Sequence, residues 1–165
     1  MHAAKAKIGQ RLKGYLLSSD EGLIAEVLKV FPQSALDWVI TSDVGSVMEH
    51  MLLTPPDIIL VDINLPGTGG LSVVRLIKGE NVYRPVSVVL CLTDEDARTH
   101  DMQWSDIEVD DVLFFPNANQ ERTRACLEVA IARASRNVDT NPLTHLPGNT
   151  AIIRYIQRLI EDGVN

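Results

Sequence analysis

From residue 14 to residue 115, short apolar runs bounded by Ser, Asp, Gly or Pro alternate with amphipathic stretches, a rhythm that predicts strands and helices in strict succession. The predicted strands are 14–18, 35–41, 57–63, 86–92 and 109–115. The third, with Ile58-Ile59-Leu60-Val61 at its centre, is apolar on both faces and so belongs in the middle of a parallel sheet covered by helices on each side. Between the strands, 22–30 carries Leu23, Val27 and Val30 on one side and ends at Phe31-Pro32, while 44–53 is stopped by Pro55-Pro56. A third helix starts after Gly69-Gly70 and turns Leu71, Val74 and Ile77 inward; a fourth, 96–104, is polar and weakly patterned. The fifth, 119–137, has Leu127, Ile131, Ala134 and Val138 at steps of four, three and four, which suits a core-facing stripe better than a short heptad seam. After Asp139-Thr140-Asn141-Pro142 the pattern changes. Pro147-Gly148 makes a turn, and Asn149 or Thr150 caps a last predicted helix bearing Ile152, Ile153, Ile156, Leu159 and Ile160, with little chain left to cover that face.

Composition narrows the function classes. A chain of 165 residues with 45% hydrophobic content supports one ordinary core with an appendage. Fifteen basic against twenty-two acidic residues give a net charge of −7 with no basic stripe, which argues against nucleic acid as a partner. Cys91 and Cys126 lack pairing or metal-type spacing and read as reduced core residues of a cytoplasmic protein. Residues 1–13 are basic, but no long apolar stretch follows, so neither a signal peptide nor a membrane span is expected.

Candidate chemistry gathers where strands end. Parallel sheets place their chemistry just beyond the carboxyl ends of their strands, and there Asp62 closes the third strand before the turn Leu65-Pro66-Gly67. Leu16-Leu17-Ser18-Ser19-Asp20 closes the first strand and would bring Asp20 to face Asp62; Thr93-Asp94 follows the fourth, and Phe115-Pro116 ends the fifth. An aspartate can accept a phosphoryl group as a nucleophile when something offsets the crowding of negative charge. A magnesium ion does this with one or two further carboxylates and several waters.

This arrangement resembles the receiver domain of response regulators, the phospho-accepting module of two-component signalling, over residues 12 to 137. The resemblance implies an α/β, flavodoxin-like doubly wound sheet of five parallel strands in the order 2-1-3-4-5, with five helices and a C-terminal helical extension. It implies Asp62 as phosphoacceptor, magnesium held weakly by Asp20, Asp62 and the Asn64 backbone carbonyl, and Thr93 as the hydroxyl contacting the phosphoryl group. Asp110-Asp111-Val112-Leu113 before Phe115-Pro116 matches the usual approach to the last strand's end. Three residues depart from the pattern. Ser19 stands where the first acid would be, Phe115 replaces the lysine that pairs with the phosphoryl oxygens, and Val112 replaces the aromatic switch residue. Asp94 follows Thr93 where a small residue is usual, and as a further magnesium ligand it would be expected to restore part of the missing negative charge.

Plainer roles stand beside these. Asp20 is also a favoured helix N-cap, Thr93 equally so, and Phe115-Pro116 is either trans by default or cis as in the family. His2, His50, His100 and His145 lack ligand spacing, and Gly67, Gly69 and Gly70 suit turns rather than a phosphate loop. Residues 139–165, with Leu143-Thr144 and Leu146-Pro147, resemble the opening of a GGDEF domain, the cyclic-di-GMP-synthesising module, with His145 in place of the usual Gly. That domain's catalytic signature is absent from these 165 residues, so the chain itself is not expected to be an enzyme.

The sequence thus predicts an N-terminal tail 1–11, a receiver-like domain 12–138 and the start of a truncated GGDEF domain 139–165. Its expected function is that of a degenerate receiver regulating a downstream cyclic-di-GMP module, with a fully functional phosphoacceptor as the alternative. A sensor histidine kinase or other regulatory protein, the GGDEF domain and a second copy of the chain are the expected partners. A flavodoxin-like enzyme or nucleotide binder would need a ring- or phosphate-binding loop that residues 18–22 do not supply.

Overall fold

The computed structural model describes residues 11–83 and 86–137. Five strands, β1 (Lys13–Leu17), β2 (Asp37–Thr41), β3 (Ile58–Asp62), β4 (Ser87–Leu92) and β5 (Asp111–Phe114), form one sheet in the order β2-β1-β3-β4-β5. Every neighbouring pair is parallel. The helices are α1 (Glu21–Val30), α2 (Val44–Leu53), α3 (Gly70–Gly79), α4 (Asp94–Thr99) and α5 (Gln120–Asn137). This is the doubly wound order expected from the sequence, and β3 and β4 at its centre are buried along their whole length.

Strand periodicity divides the core in two. Tyr15, Leu17, Ile59, Val61, Leu90 and Leu92 point to the face covered by α2 and α3, which supply Val47, Met51, Val73, Val74 and Ile77. Leu16, Ile58, Leu60, Val89 and Cys91 point the other way, toward Leu23 and Val27 of α1 and Leu127 and Ile131 of α5. Leu127, Ile131 and Ala134 are buried, so the apolar stripe of α5 faces the sheet. Both cysteines are free. Burial, followed by the charge of Asp62, pushes the Cys91 thiol up, and burial followed by Asp111 pushes that of Cys126 up to about 12, so both stay protonated at neutral pH.

The fourth helix departs from the sequence reading. It starts at Asp94 because Thr93 caps it, and it stops at Thr99, two residues before Asp101 turns to a positive φ of 45°. A separate 3-10 turn spans Trp104–Asp106. No residue of α4 is buried, which is why its pattern of apolar positions carried so little signal.

At the end of the sheet away from the strands' carboxyl ends, Lys78 of α3 is buried and donates to the Val86 carbonyl at 2.9 Å and to Asp110 Oδ2 at 2.6 Å. The same carboxylate oxygen accepts from Val88 N at 2.8 Å, and Arg133 of α5 donates to the Asp110 carbonyl. These contacts fix the start of β5 between α3 and α5. Among the described residues no helix is long and apolar enough to cross a membrane. Residues 1–10 of the N-terminal tail, Val138 and the whole of 139–165, including the predicted last helix and the GGDEF-like opening, lie outside the described residues.

Candidate functional site

Strand register builds the site. β1 and β3 pair with Leu17 opposite Val61, so the next residue of each, Ser18 and Asp62, emerge side by side at the carboxyl edge. Both side chains are buried, each residue only 3% exposed. Ser18 Oγ donates to Asp62 Oδ2 at 2.6 Å, and the backbone N–H of Asn64 donates to Asp62 Oδ1 at 2.9 Å. A carboxylate this deep needs donors, and here both of its oxygens have one.

The turn after β3 closes tightly over this pair. Leu65 N donates to the Asp62 carbonyl at 3.1 Å and Gly70 N to the Ile63 carbonyl at 3.0 Å. Gly67 and Gly69 both adopt φ of 79°, the left-handed region that glycine enters without strain. Gly70 is needed for a different reason. A Cβ there would lie 2.2 Å from the Asp62 carbonyl oxygen and 2.7 Å from Ile63 Cα.

A second set of bonds ties this turn to α4. Asn64 Nδ2 donates to Asp96 Oδ1 at 2.9 Å, Thr93 N donates to Asp96 Oδ2 at 2.9 Å, and Asp96 N donates to Thr93 Oγ1 at 3.0 Å. Thr93 and Asp96 thus form a capping box, and Asn64 clasps it. Burial pushes the Asp96 carboxyl upward, but hydrogen bonds from Asn64 and Thr93 outweigh it and hold the group below its ordinary value of 3.8. A group depressed in this way stabilises the fold above its unfolded pKa, and that contribution is lost as pH falls through the lower folded value. We therefore expect Asp96→Asn to cost about 0.5–1 kcal/mol near neutral pH. The gap between variant and parent in denaturant midpoints should close as the pH is taken below about 4. A gap independent of pH would show that the clasp does not depend on the charge of Asp96.

The sequence-predicted residues fall as follows. Asp62 sits at the strand end beside a partner from β1, but that partner is Ser18. Asp20 is exposed, and its Oδ1 accepts from Leu23 N at 3.0 Å as the N-cap of α1. Ser19, named as the missing acid, is exposed, and Ser18 is the residue whose hydroxyl meets Asp62. Thr93 is the N-cap of α4, and Asp94 is the exposed first residue of that helix. Phe115 is buried with the α1 and α5 side of the core, and its bond to Pro116 is cis. Val112 is half-buried against the core of the opposite face. Sequence reasoning missed Ser18 and Asp96. Aligning the last apolar residues of the first and third strands would have found Ser18, and the Thr93-x-x-Asp96 spacing is itself a capping signature.

A magnesium ion seeks near-octahedral oxygens with at least one or two carboxylates among them. The donors beside Asp62 fit it poorly. The first strand contributes a neutral hydroxyl, both oxygens of Asp62 are already engaged, and the Asp20 carboxylate is turned to α1 as its cap. Among the described residues no group of three or more His, Cys, Asp or Glu side chains is arranged to hold a metal.

No family model matches the chain. It is 32% identical over 114 residues to the alkaline phosphatase synthesis transcriptional regulatory protein SphR of Synechococcus elongatus, a match covering 68% of this chain. The matched region spans only 37% of that relative's length. Among solved structures, a sensor protein from Polaromonas sp. JS666 superposes with a TM-score of 0.62 at 18% identity, over 76% of this chain and 99% of the other. The signal receiver domain of an HD domain-containing protein from Pseudomonas fluorescens Pf-5 gives 0.64 at 15% identity, over 77% and 99%. At these identities the structural likeness is one of fold.

Proposed function

Given that the described residues form a response regulator receiver domain, we propose that it is a degenerate one, which regulates through contact with partner proteins rather than through magnesium-assisted phosphorylation. Receiver domains are regulatory rather than catalytic, and they typically bind magnesium at the phosphorylation site. The observation that carries the proposal is the 2.6 Å hydrogen bond from Ser18 to Asp62, which puts a neutral donor where a metal-binding acid would stand. Two features support it. Phe115 offers no cation for arriving phosphoryl oxygens, and Val112 has no ring to swing between buried and exposed positions.

In this reading the output is a downstream cyclic-di-GMP module of the GGDEF kind, reached through α5 and the segment after it. The support is the Leu143-Thr144 and Leu146-Pro147 pattern directly after α5. The regulatory input comes from a histidine kinase or another signalling protein that binds the domain.

One observation favours the alternative of a working phosphoacceptor. Thr93 Oγ1 accepts a hydrogen bond in the cap and so keeps its own proton for another acceptor, such as a phosphoryl oxygen. Titration with magnesium, alone and with beryllofluoride, separates the two readings when followed by NMR shifts of the Asp62 and Asn64 amides. The degenerate reading predicts no saturable change at millimolar magnesium. Saturable shifts at both amides would favour the working phosphoacceptor.

A further inference from the structure

Among the described residues, Asn64 alone is hydrogen-bonded both to the Asp62 carboxylate and to α4. Its backbone N–H donates to Asp62 Oδ1 at 2.9 Å, and its side-chain Nδ2 donates to Asp96 Oδ1 at the same distance. Ile63 and Leu65 on either side of it are buried with the α2 and α3 face of the core, whereas Asn64 itself is exposed. The two bonds therefore depend on one backbone conformation. A turn of residue 64 that takes its N–H off Asp62 also withdraws its side chain from Asp96.

Little else holds α4. It has six residues, none of them buried, and Ala97, its single apolar residue, is only partly buried against the core. A helix this short is marginal without tertiary contacts. The Thr93–Asp96 box satisfies donors of its own first turn, and among the described residues the Asn64 amide makes the only hydrogen bond between an α4 side chain and another element. The chain then leaves the helix through Asp101 at a φ of 45°. Such an element sits at the low end of local stability, where one hydrogen bond to a carboxylate weighs heavily.

We propose that Asn64 is a latch coupling the state of Asp62 to the hold on α4. With both bonds made, α4 is fixed against the turn after β3. Drawing the Asn64 N–H away from Asp62 loosens α4, and by reciprocity a partner protein that pulls Asp96 from Asn64 weakens the hold on Asp62. The coupling rests on the two bonds of one residue, so it goes beyond the degenerate reading and stands whether or not Asp62 takes up phosphate.

Hydrogen exchange of the full chain, followed by NMR at the amides of Ala97 and His100, tests the latch. These amides donate to the Thr93 and Asp96 carbonyls, so their exchange reports opening of α4. Asn64→Ala should speed it roughly fivefold while the amides of β4 are unchanged. Asp62→Ala, which removes the acceptor of the Asn64 N–H, should give a comparable rise, and Asp62→Asn, which keeps the side chain's volume, a smaller one. The Asp62→Ala, Asn64→Ala double variant should exchange no faster than Asn64→Ala alone, because the second change then has nothing left to release. Exchange at the parent rate in either Asn64→Ala or Asp62→Ala would overturn the proposal. So would a double variant in which the two increases multiply, because Asp62 and α4 would then be independent. Neither phosphate nor magnesium enters the measurement, so such a result would leave the degenerate reading untouched.

Discussion

Gly70→Ala is expected to lower stability by about 3 kcal/mol and the melting temperature by roughly 10 °C. The added Cβ would fall 2.2 Å from the Asp62 carbonyl oxygen and 2.7 Å from Ile63 Cα. Both are backbone atoms of the central strand's end, so no side-chain rotation relieves the clash. Either α3 moves away from β3 or the end of β3 moves, and moving the strand end also displaces Asp62 from Ser18 and Asn64. Gly79→Ala is the control. It lies in the same helix with nothing within 4 Å of its added methyl, so its melting temperature should match the parent or rise slightly. Equal melting of the two variants in thermal circular dichroism would contradict the close approach of α3 to the strand end.

Ser18→Asp should have an effect nearly as large, and one with a distinctive signature. The new carboxyl would lie within hydrogen-bond distance of Asp62 in a place where both residues are 3% exposed. Two carboxylates so placed cannot both ionise without a cation, so one must hold a proton or the strand ends must separate. We expect a loss of about 3 kcal/mol at neutral pH without divalent ions, largely recovered in millimolar magnesium. Ser18→Ala instead leaves one oxygen of Asp62 without its hydroxyl donor and should cost about 2 kcal/mol with no response to magnesium. A Ser18→Asp protein as stable as its parent in chelator would mean that the hydroxyl is not seated against Asp62.

The fold was legible because it rests on features that periodicity reports. β3 and β4 are apolar runs because both faces are covered, and the limits of α2 agree with the sequence reading because the prolines beyond Leu53 end it, while its start is held by the Asp43 cap, which the spacing of apolar positions does not report. Where burial is missing, the signal fails. α4 has no buried residue, so its limits are set by the Thr93–Asp96 capping box and by the turn at Asp101, local hydrogen bonds and backbone geometry that a search for apolar spacing passes over. The site was half legible. Asp62 stands out because a lone carboxylate ends an apolar strand, whereas its neighbour depends on register, and an error of two residues exchanges Ser18 for Asp20. That exchange changes the chemistry, since a hydroxyl donates to a carboxylate where an acid would need a metal between them. The Lys78–Asp110 pair and the Asn64–Asp96 clasp each join residues 32 positions apart, and no local pattern announces them.

A degenerate receiver is one whose Asp62, held by Ser18 and Asn64, no longer takes up phosphate. Intact mass spectrometry of the full chain after incubation with acetyl phosphate and magnesium measures this most directly. The parent chain should keep its unmodified mass, with the Ser18→Asp, Phe115→Lys double variant gaining one phosphoryl group under the same conditions. A phosphoryl adduct on the parent chain that disappears in Asp62→Asn would contradict it.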